Sequence, residues 1–170
     1  MTNLENSSGM PLKKIPKWLI WTITGIAFIG LMDATYLTAE HYSGVGINCV
    51  IFTGCDQVAN SEYSILFGIP VALYGVAYYF GILFVSLLYI DLSRDHIHPI
   101  ASKIIRTTKI LNPKLLPIYT LVGFVMSLRF VYLQIAVIQA VCTYCMVSVL
   151  TSTLLFIFGM IVLKNRRFYF

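Results

Sequence analysis

Four long apolar runs dominate this chain of 170 residues and limit what it can fold into. They cover about 18–40, 65–90, 115–137 and 141–163. Each is long enough to cross the ~30 Å of hydrocarbon in a bilayer as a helix that rises about 1.5 Å per residue. With 58% apolar and only 11% charged residues, the chain has more apolar surface than a water-soluble domain of this size buries. The sequence therefore predicts an all-α integral membrane protein, a bundle of four transmembrane helices.

The distribution of Lys and Arg predicts how these helices are oriented. Neither residue occurs between Lys17 and Arg94, whereas the segment 91–114 and the tail 164–170 are both basic. Because cytoplasmic loops of membrane proteins are enriched in Lys and Arg, we expect both termini and the loop 91–114 to be cytoplasmic. The polar N-terminal segment, residues 1–17, is expected to be a disordered cytoplasmic tail. The net charge of +5 thus reflects membrane topology, and no nucleic acid is expected as a partner.

The same pattern predicts one membrane domain over residues 18–163. Its first outer loop, 41–64, is expected to contain a short helix. A cleaved signal peptide in place of the first helix is the less consistent interpretation, because the run is longer than the ~7–15 residues of such a segment and no clean small-residue cleavage site follows. We expect a multi-pass protein of the cell (inner) membrane, with its site on the periplasmic or extracellular side.

Four cysteines fall on the outer side in this topology. Cys49 and Cys55 lie in the loop 41–64, and Cys142 and Cys145 open the fourth helix. A Cys-x-x-Cys pair at the start of a helix places two sulfurs on one face, one turn apart, where the helix N-terminus favours a thiolate. A loop pair beside an anchored pair suits relay exchange through mixed disulfides. At this depth the natural electron acceptor is a lipid-soluble quinone.

Other roles for the cysteines stay open at this point. Loops outside the cell commonly carry purely structural disulfides. Four cysteines are also able to bind zinc, although C-x5-C combined with C-x2-C is an unusual spacing for a zinc site. Cys145 is able to serve as a small buried apolar side chain, which does not explain its spacing from Cys142. The relay interpretation also expects mobility in the loop, since Gly46 and Gly54 lie close to its cysteines.

Two charged residues, Asp33 and Arg129, fall within apolar runs. Charges are costly in a membrane, so they mark either a functional group or a paired one. One hypothesis is that the two approach each other or share a polar cluster, because an unpaired charge there is costly. The alternative is that Arg129 extends towards the interface and Asp33 faces water at the loop.

The motifs around the cysteines resemble the vitamin K epoxide reductase (VKOR) family, specifically its prokaryotic members. The likeness is carried by GCDQVANSEYSILFGIPVALYG, by the later AVCTYC, and by LMDATYLTAEHY in the first helix. It includes a loop cysteine pair, a Ser six residues after the second loop Cys, an FGIP turn and a CxxC that starts the last helix. The match extends from about Leu31 to Cys145.

The resemblance implies a membrane thiol oxidoreductase that drives disulfide formation in exported proteins, built as a four-helix bundle around a quinone of the ubiquinone or menaquinone type. Cys49 would meet the partner, Cys55 would exchange with Cys142, and Cys145 would face the quinone. Ser61 would lie near the quinone head group, on a short helix covering the site. The implied partner is a thioredoxin-fold (DsbA-like) protein. It is expected to be a separate protein, since this chain shows no fused thioredoxin-like domain. No metal site is expected.

Three other functional assignments, from within and outside the family, are alternatives to this quinone-linked thiol oxidoreductase. In the vertebrate enzymes a Tyr that follows the CxxC by about one turn helps to bind the vitamin, and here Val149 stands at that position. We therefore expect quinone reduction rather than vitamin K epoxide reduction. DsbB-type quinone reductases carry the CxxC in the first outer loop and the spaced pair in the second, which is the reverse of the order here. The alternative from another class is a non-catalytic tetraspan assembly protein held by structural disulfides.

Overall fold

The computed structural model describes residues 16–44, 49, 54–92 and 115–167. Its helices are α1 (Lys17–Ser43), α2 (Cys55–Ala59), α3 (Val71–Leu92), α4 (Leu115–Tyr132), a π-helix (Leu133–Ile138) that continues α4, and α5 (Thr143–Arg167), with a 3-10 turn at Glu62–Ser64. Four of these helical segments are long and apolar enough to cross a membrane. The predicted fold class, an all-α four-helix membrane protein, is thereby confirmed. Most of the predicted tails and of the loop 91–114 lies outside the described residues, as does Gly46.

The second membrane helix begins at Val71 and not near residue 65. Ile65–Leu66 (β1) and Ile69–Pro70 (β2) instead pair as a small antiparallel hairpin. Its turn residues, Phe67 and Gly68, have φ of 53° and 80°. Residues other than glycine rarely adopt this left-handed region of the backbone. Pro70 also lacks the N–H that a helix starting earlier would use for its ladder. The expected helix start is therefore wrong, because apolar composition does not distinguish this hairpin from a helical turn.

The first helix provides the packing surface for much of the bundle. Its buried residues Leu19, Ile23 and Ala27 recur every four positions and so share one face. α1 packs against α3 and α5, and α4 packs against α5. A Cβ at Gly30 would overlap the Tyr79 ring, so glycine allows α1 and α3 to approach closely.

Tyr79 connects α3 to α5 through its hydroxyl. The ring is 1% exposed, and the hydroxyl donates to the Ser148 carbonyl oxygen at 3.0 Å and lies 2.7 Å from the Thr151 hydroxyl. Large side chains such as Phe28 and Met32 are exposed on the outside of the bundle, where a membrane protein meets lipid. The core is thus a seam between α1, α3 and α5.

Candidate dithiol site

All four cysteines lie together at one end of the bundle. Cys55 and Cys142 belong to a single buried cluster with Val58 and Ala140, and Cys49 and Cys145 pack against that cluster. Cys55 is 0% exposed and Cys142 is 1% exposed. Two cysteine pairs that are distant in the sequence are therefore within one apolar environment.

The two pairs are in opposite redox states. Cys49 and Cys55 form a disulfide with their Cα atoms 5.6 Å apart, and the Cys55 backbone N–H donates to the Cys49 sulfur at 3.2 Å. Cys142 and Cys145 are free thiols. Since two of the four sulfurs are bonded to each other, the four cysteines do not form a set of four thiolate ligands for a metal in this state. Over the described ranges, no group of three or more His, Cys, Asp or Glu side chains is arranged to hold a metal.

Gly54 brings the loop pair close to the segment before the helix pair. A Cβ on Gly54 would lie 2.8 Å from the Val141 backbone N and 2.9 Å from the Ala140 Cβ. Those contacts are too short for a real Cβ. With φ of −94° the glycine adopts an ordinary backbone conformation, so its role in this structure is close approach. The loop movement that the sequence suggested stays a prediction.

The start of α5 shapes the environment of Cys142. The Cys145 thiol is the principal donor to the Cys142 sulfur, and the backbone N–H groups of Cys145 and Tyr144 also donate to it. These donors lower the pKa of Cys142 to about 6, although burial acts in the opposite direction. These donors therefore favour the thiolate of Cys142, the form of cysteine that attacks disulfides.

A cavity of about 480 Å³ adjoins the helix pair. Side chains of all four long helices line it, together with α2 and the hairpin. The lining is mainly apolar and aromatic, and it includes Cys142, Cys145, Val149, Tyr78, Phe130 and His41. A mostly apolar cavity with a few polar groups is typical of sites for small apolar ligands.

Tyr78, which lines this cavity, carries an unsatisfied hydroxyl. Its ring stacks on Tyr119 with the centroids 5.2 Å apart and meets Tyr79 edge-on at 5.0 Å. The Tyr119 hydroxyl donates to the Tyr78 carbonyl oxygen at 3.3 Å, and a Cβ at Gly123 would overlap the Tyr78 ring. The ring is thus held firmly, yet its buried hydroxyl has no hydrogen-bond partner among the residues described. Buried polar groups normally have a partner, so this hydroxyl suits a ligand acceptor.

Comparison with known families assigns the chain. Residues 21–160 match the model of the Vitamin K epoxide reductase family. The chain belongs to this family. A comparison with curated proteins finds no match. The predicted resemblance is confirmed, and membership identifies the chain as a multi-pass membrane oxidoreductase of a family that uses disulfide and quinone chemistry.

Ser61, to which the family resemblance gave a quinone contact, has its hydroxyl bonded within the loop. It caps the 3-10 turn at Glu62–Ser64, and its hydroxyl donates to the Val58 carbonyl oxygen at 2.8 Å. Ser64, which donates to the Ser61 carbonyl oxygen at 2.8 Å, is the serine of this turn that lines the cavity. The role of Ser61 at a quinone stays a prediction.

The two intramembrane charges of this VKOR-family chain lie apart. Arg129 is exposed on α4. Asp33 instead lies within electrostatic range of Cys142, Cys145 and Tyr79, and its Oδ2 is buried with no hydrogen-bond partner in the described part of the chain. The hypothesis that Asp33 and Arg129 pair is therefore wrong for this structure.

Gln134 is a polar residue at the site that sequence reasoning missed. It is 0% exposed and lies in the π-helix before the CxxC. Its Oε1 accepts the Cys142 backbone N–H at 3.0 Å. The available signal was a single amide within the apolar run of the third membrane segment, eight positions before Cys142.

Proposed function

We propose that this VKOR-family protein is a quinone-dependent thiol–disulfide oxidoreductase. It takes electrons from a reduced, separate thioredoxin-fold partner on the outer side of the cell membrane and passes them through two cysteine pairs to a membrane quinone. The net result is disulfide formation in exported proteins. The observation that carries the proposal is the single buried cluster in which a loop disulfide contacts a free dithiol beside an apolar cavity.

Cys49 is the sulfur at which the partner enters. Cys55 is fully buried whereas Cys49 is only partly buried, so an external thiolate reaches Cys49 first. Its attack forms a mixed disulfide with Cys49 and releases Cys55 as a thiolate. The second thiol of the partner then displaces Cys49, which leaves the partner oxidised and the loop pair reduced by two electrons.

Cys55 then passes these electrons to the helix pair. Its thiolate attacks Cys142 in a Cys142–Cys145 disulfide, forms a Cys55–Cys142 bond and releases Cys145 as a thiolate. Cys49 attacks Cys55, restores the loop disulfide and releases Cys142. A loop disulfide beside two free helix thiols is the end state of this exchange, and it is the pairing present in the structure.

The residues around the cavity fit a quinone. The wall is mainly apolar, and the unpartnered Tyr78 hydroxyl offers a hydrogen bond to a ring carbonyl. A bound quinone supplies the acceptor for two electrons and two protons, which the Cys142–Cys145 dithiol releases on closing its disulfide. Cys145 lines the cavity as part of α5 and is the sulfur we assign to face the ring.

Val149 favours quinone reduction over vitamin K epoxide reduction. It lines the cavity at the position where the vertebrate enzymes carry the Tyr that helps to bind the vitamin. A valine side chain has no hydrogen-bond donor for an epoxide oxygen. The Tyr78 hydroxyl is assigned here to a quinone carbonyl, which either ubiquinone or menaquinone provides.

Turnover by purified protein tests the proposal. In detergent, with a small dithiol donor and a short-chain ubiquinone or menaquinone, we expect the wild type to reduce quinone and Cys145→Ser to lose all turnover.

Trapping of mixed disulfides tests the order of the relay. Cys55→Ser should accumulate a mixed disulfide with an oxidised thioredoxin-fold protein, because its Cys49 thiolate attacks the disulfide of that protein and releases the second cysteine of the partner as a thiolate. The matched Cys49→Ser should accumulate none. Absence of quinone reduction by the wild type with both quinone types would contradict the proposal and favour a structural role for the disulfide.

A further inference from the structure

Gln134 is a buried amide with only part of its hydrogen-bonding capacity used. Its Oε1 accepts the Cys142 backbone N–H at 3.0 Å, and its Nε2 has no hydrogen-bond partner within the described residues. Because Cys142 presents a donor, the amide oxygen must face it, which fixes the orientation of the amide. Nε2 is therefore turned away from the Cys142 backbone, and two N–H donors are left buried without an acceptor.

The Cys145 sulfur is the group with which this amide interacts. A neutral thiol is a weak acceptor, so Nε2 stays without a proper hydrogen bond while Cys145 is protonated. A thiolate is a strong acceptor, and hydrogen bonds to charged groups are about twice as strong as those between neutral groups. The unpaired donor thus suits a sulfur that becomes negatively charged only during part of a reaction.

The backbone of Gln134 holds the same segment as its side chain. Its carbonyl oxygen accepts the Ala140 N–H at 3.1 Å, and the π-helix ends at Gln139 in a left-handed conformation with φ of 55°. Gln134 therefore holds two residues, Ala140 and Cys142, immediately before α5 begins. A π-helical segment of this kind is frequent at functional sites. Here it brings the Gln134 amide to the Cys142–Cys145 dithiol.

We propose that Gln134 is a positioning residue for the helix dithiol, which holds the Cys142 backbone through Oε1 and donates from Nε2 to Cys145 when that sulfur is a thiolate. The inference rests on the proposed function in that the Cys142–Cys145 disulfide opens and closes. When an attacking thiolate bonds to the Cys142 sulfur, the Cys142–Cys145 bond breaks and its electron pair goes to Cys145. The step consumes one thiolate and produces one thiolate, and Gln134 stabilises the product charge.

Gln134→Glu separates the two roles of the amide. Glutamate has nearly the same shape and keeps an oxygen for the Cys142 N–H, but it replaces the donor facing Cys145 with a second oxygen. Gln134→Met removes both functions. Gln57→Glu is the matched control, because it makes the same chemical change at an exposed position on α2, near the same end of the bundle.

The rate at which glutathione opens the Cys142–Cys145 disulfide is the measurement. Each variant is placed in a Cys49→Ser/Cys55→Ser background, purified in detergent without quinone, oxidised, and then reduced at pH 8 with timed alkylation and mass spectrometry. Because a less stabilised leaving thiolate departs more slowly, we expect Gln134→Glu to be slower by about tenfold, a loss of about 1.4 kcal/mol in the barrier. Gln57→Glu should stay within about twofold of the background protein.

The outcomes distinguish the inference from the proposed function. If Gln134→Glu reacts at the background rate, the donor role is overturned, whether or not Gln134→Met is slow or fails to fold. If the background protein forms no disulfide that glutathione opens, the proposed relay itself fails. A slow Gln134→Glu with a normal Gln57→Glu supports both.

Discussion

Gly54→Ala is expected to separate the two cysteine pairs while leaving the bundle folded. The new Cβ would lie 2.8 Å from the Val141 N and 3.0 Å from the Val141 O. Ordinary contacts of carbon begin at about 3.5 Å, so the loop has to retreat by about 0.5–0.7 Å at least. The opposing atoms belong to backbone that Gln134 fixes through Ala140 and Cys142, and it is therefore the loop that moves. Overpacking of this kind costs about 1–3 kcal/mol.

The displacement acts on the proposed transfer between Cys55 and Cys142. Thiol–disulfide exchange needs the reacting sulfurs in line, and a misplacement of about 1 Å is able to slow a positioned reaction about 100-fold. For a smaller retreat we expect a reduction of at least about tenfold. The effect should be confined to the step between the pairs, since Cys49 stays partly exposed.

A double variant, Cys49→Ser/Cys145→Ser, isolates this step because Cys55 and Cys142 are then the remaining cysteines. The rate at which they form a disulfide under a mild oxidant, followed by mass spectrometry without reduction, reports their approach. We expect Gly54→Ala to slow it by at least about tenfold. Gly25→Ala is the control, because among the described residues no atom beyond its chain neighbours and its own helix backbone lies within 4 Å of a Cβ built on Gly25. An unchanged rate in Gly54→Ala would refute the docking of the loop against Val141.

Three further outcomes are expected. Tyr78→Phe should raise KM for quinone by about twofold to tenfold with little change in kcat, as measured by steady-state quinone reduction, since it removes one neutral hydrogen bond of about 0.5–1.5 kcal/mol. The rate of alkylation of Cys142 in the reduced protein, measured against pH, should have its midpoint near pH 6 and fall below it, because the thiol then replaces the thiolate. Cys145→Ala should move this midpoint to higher pH, because it removes the principal donor to the Cys142 sulfur. Gly30→Ala should lower the thermal unfolding temperature in detergent, because its Cβ overlaps the Tyr79 ring, with a loss of about 1–3 kcal/mol.

The elements that follow from composition and spacing were predictable. A helix across lipid needs about 20 apolar residues, so four such runs defined the fold class. The positions of Cys142 and Cys145 at the start of the last run placed their sulfurs one turn apart. Motifs in the loop and in the last helix also identified the family.

The features that depend on tertiary contacts were not predictable from the sequence. The hairpin before α3 depends on positive φ at Phe67, which an apolar run does not reveal. The proximity of Asp33 to the cysteines depends on how α1 turns its faces towards α5, and the pairing with Arg129 was inferred from depth alone. The role of Gly54 is similar, because a glycine in a loop suggests mobility until its neighbours are known.

The loop disulfide has a consequence for the shape of the protein during turnover. Its cysteines are separated by six positions, so in the chain-entropy model the bond constrains an unfolded chain by only about 2–2.5 kcal/mol. A bridge that closed a loop of about 100 residues would contribute about 4.7 kcal/mol in the same model. Breaking the short ring therefore frees little of the chain, and the four long helices stay joined by packing and by hydrogen bonds such as that of Tyr79. In the proposed relay, opening and closing of the loop disulfide therefore changes the stability of the bundle by no more than about 2–2.5 kcal/mol.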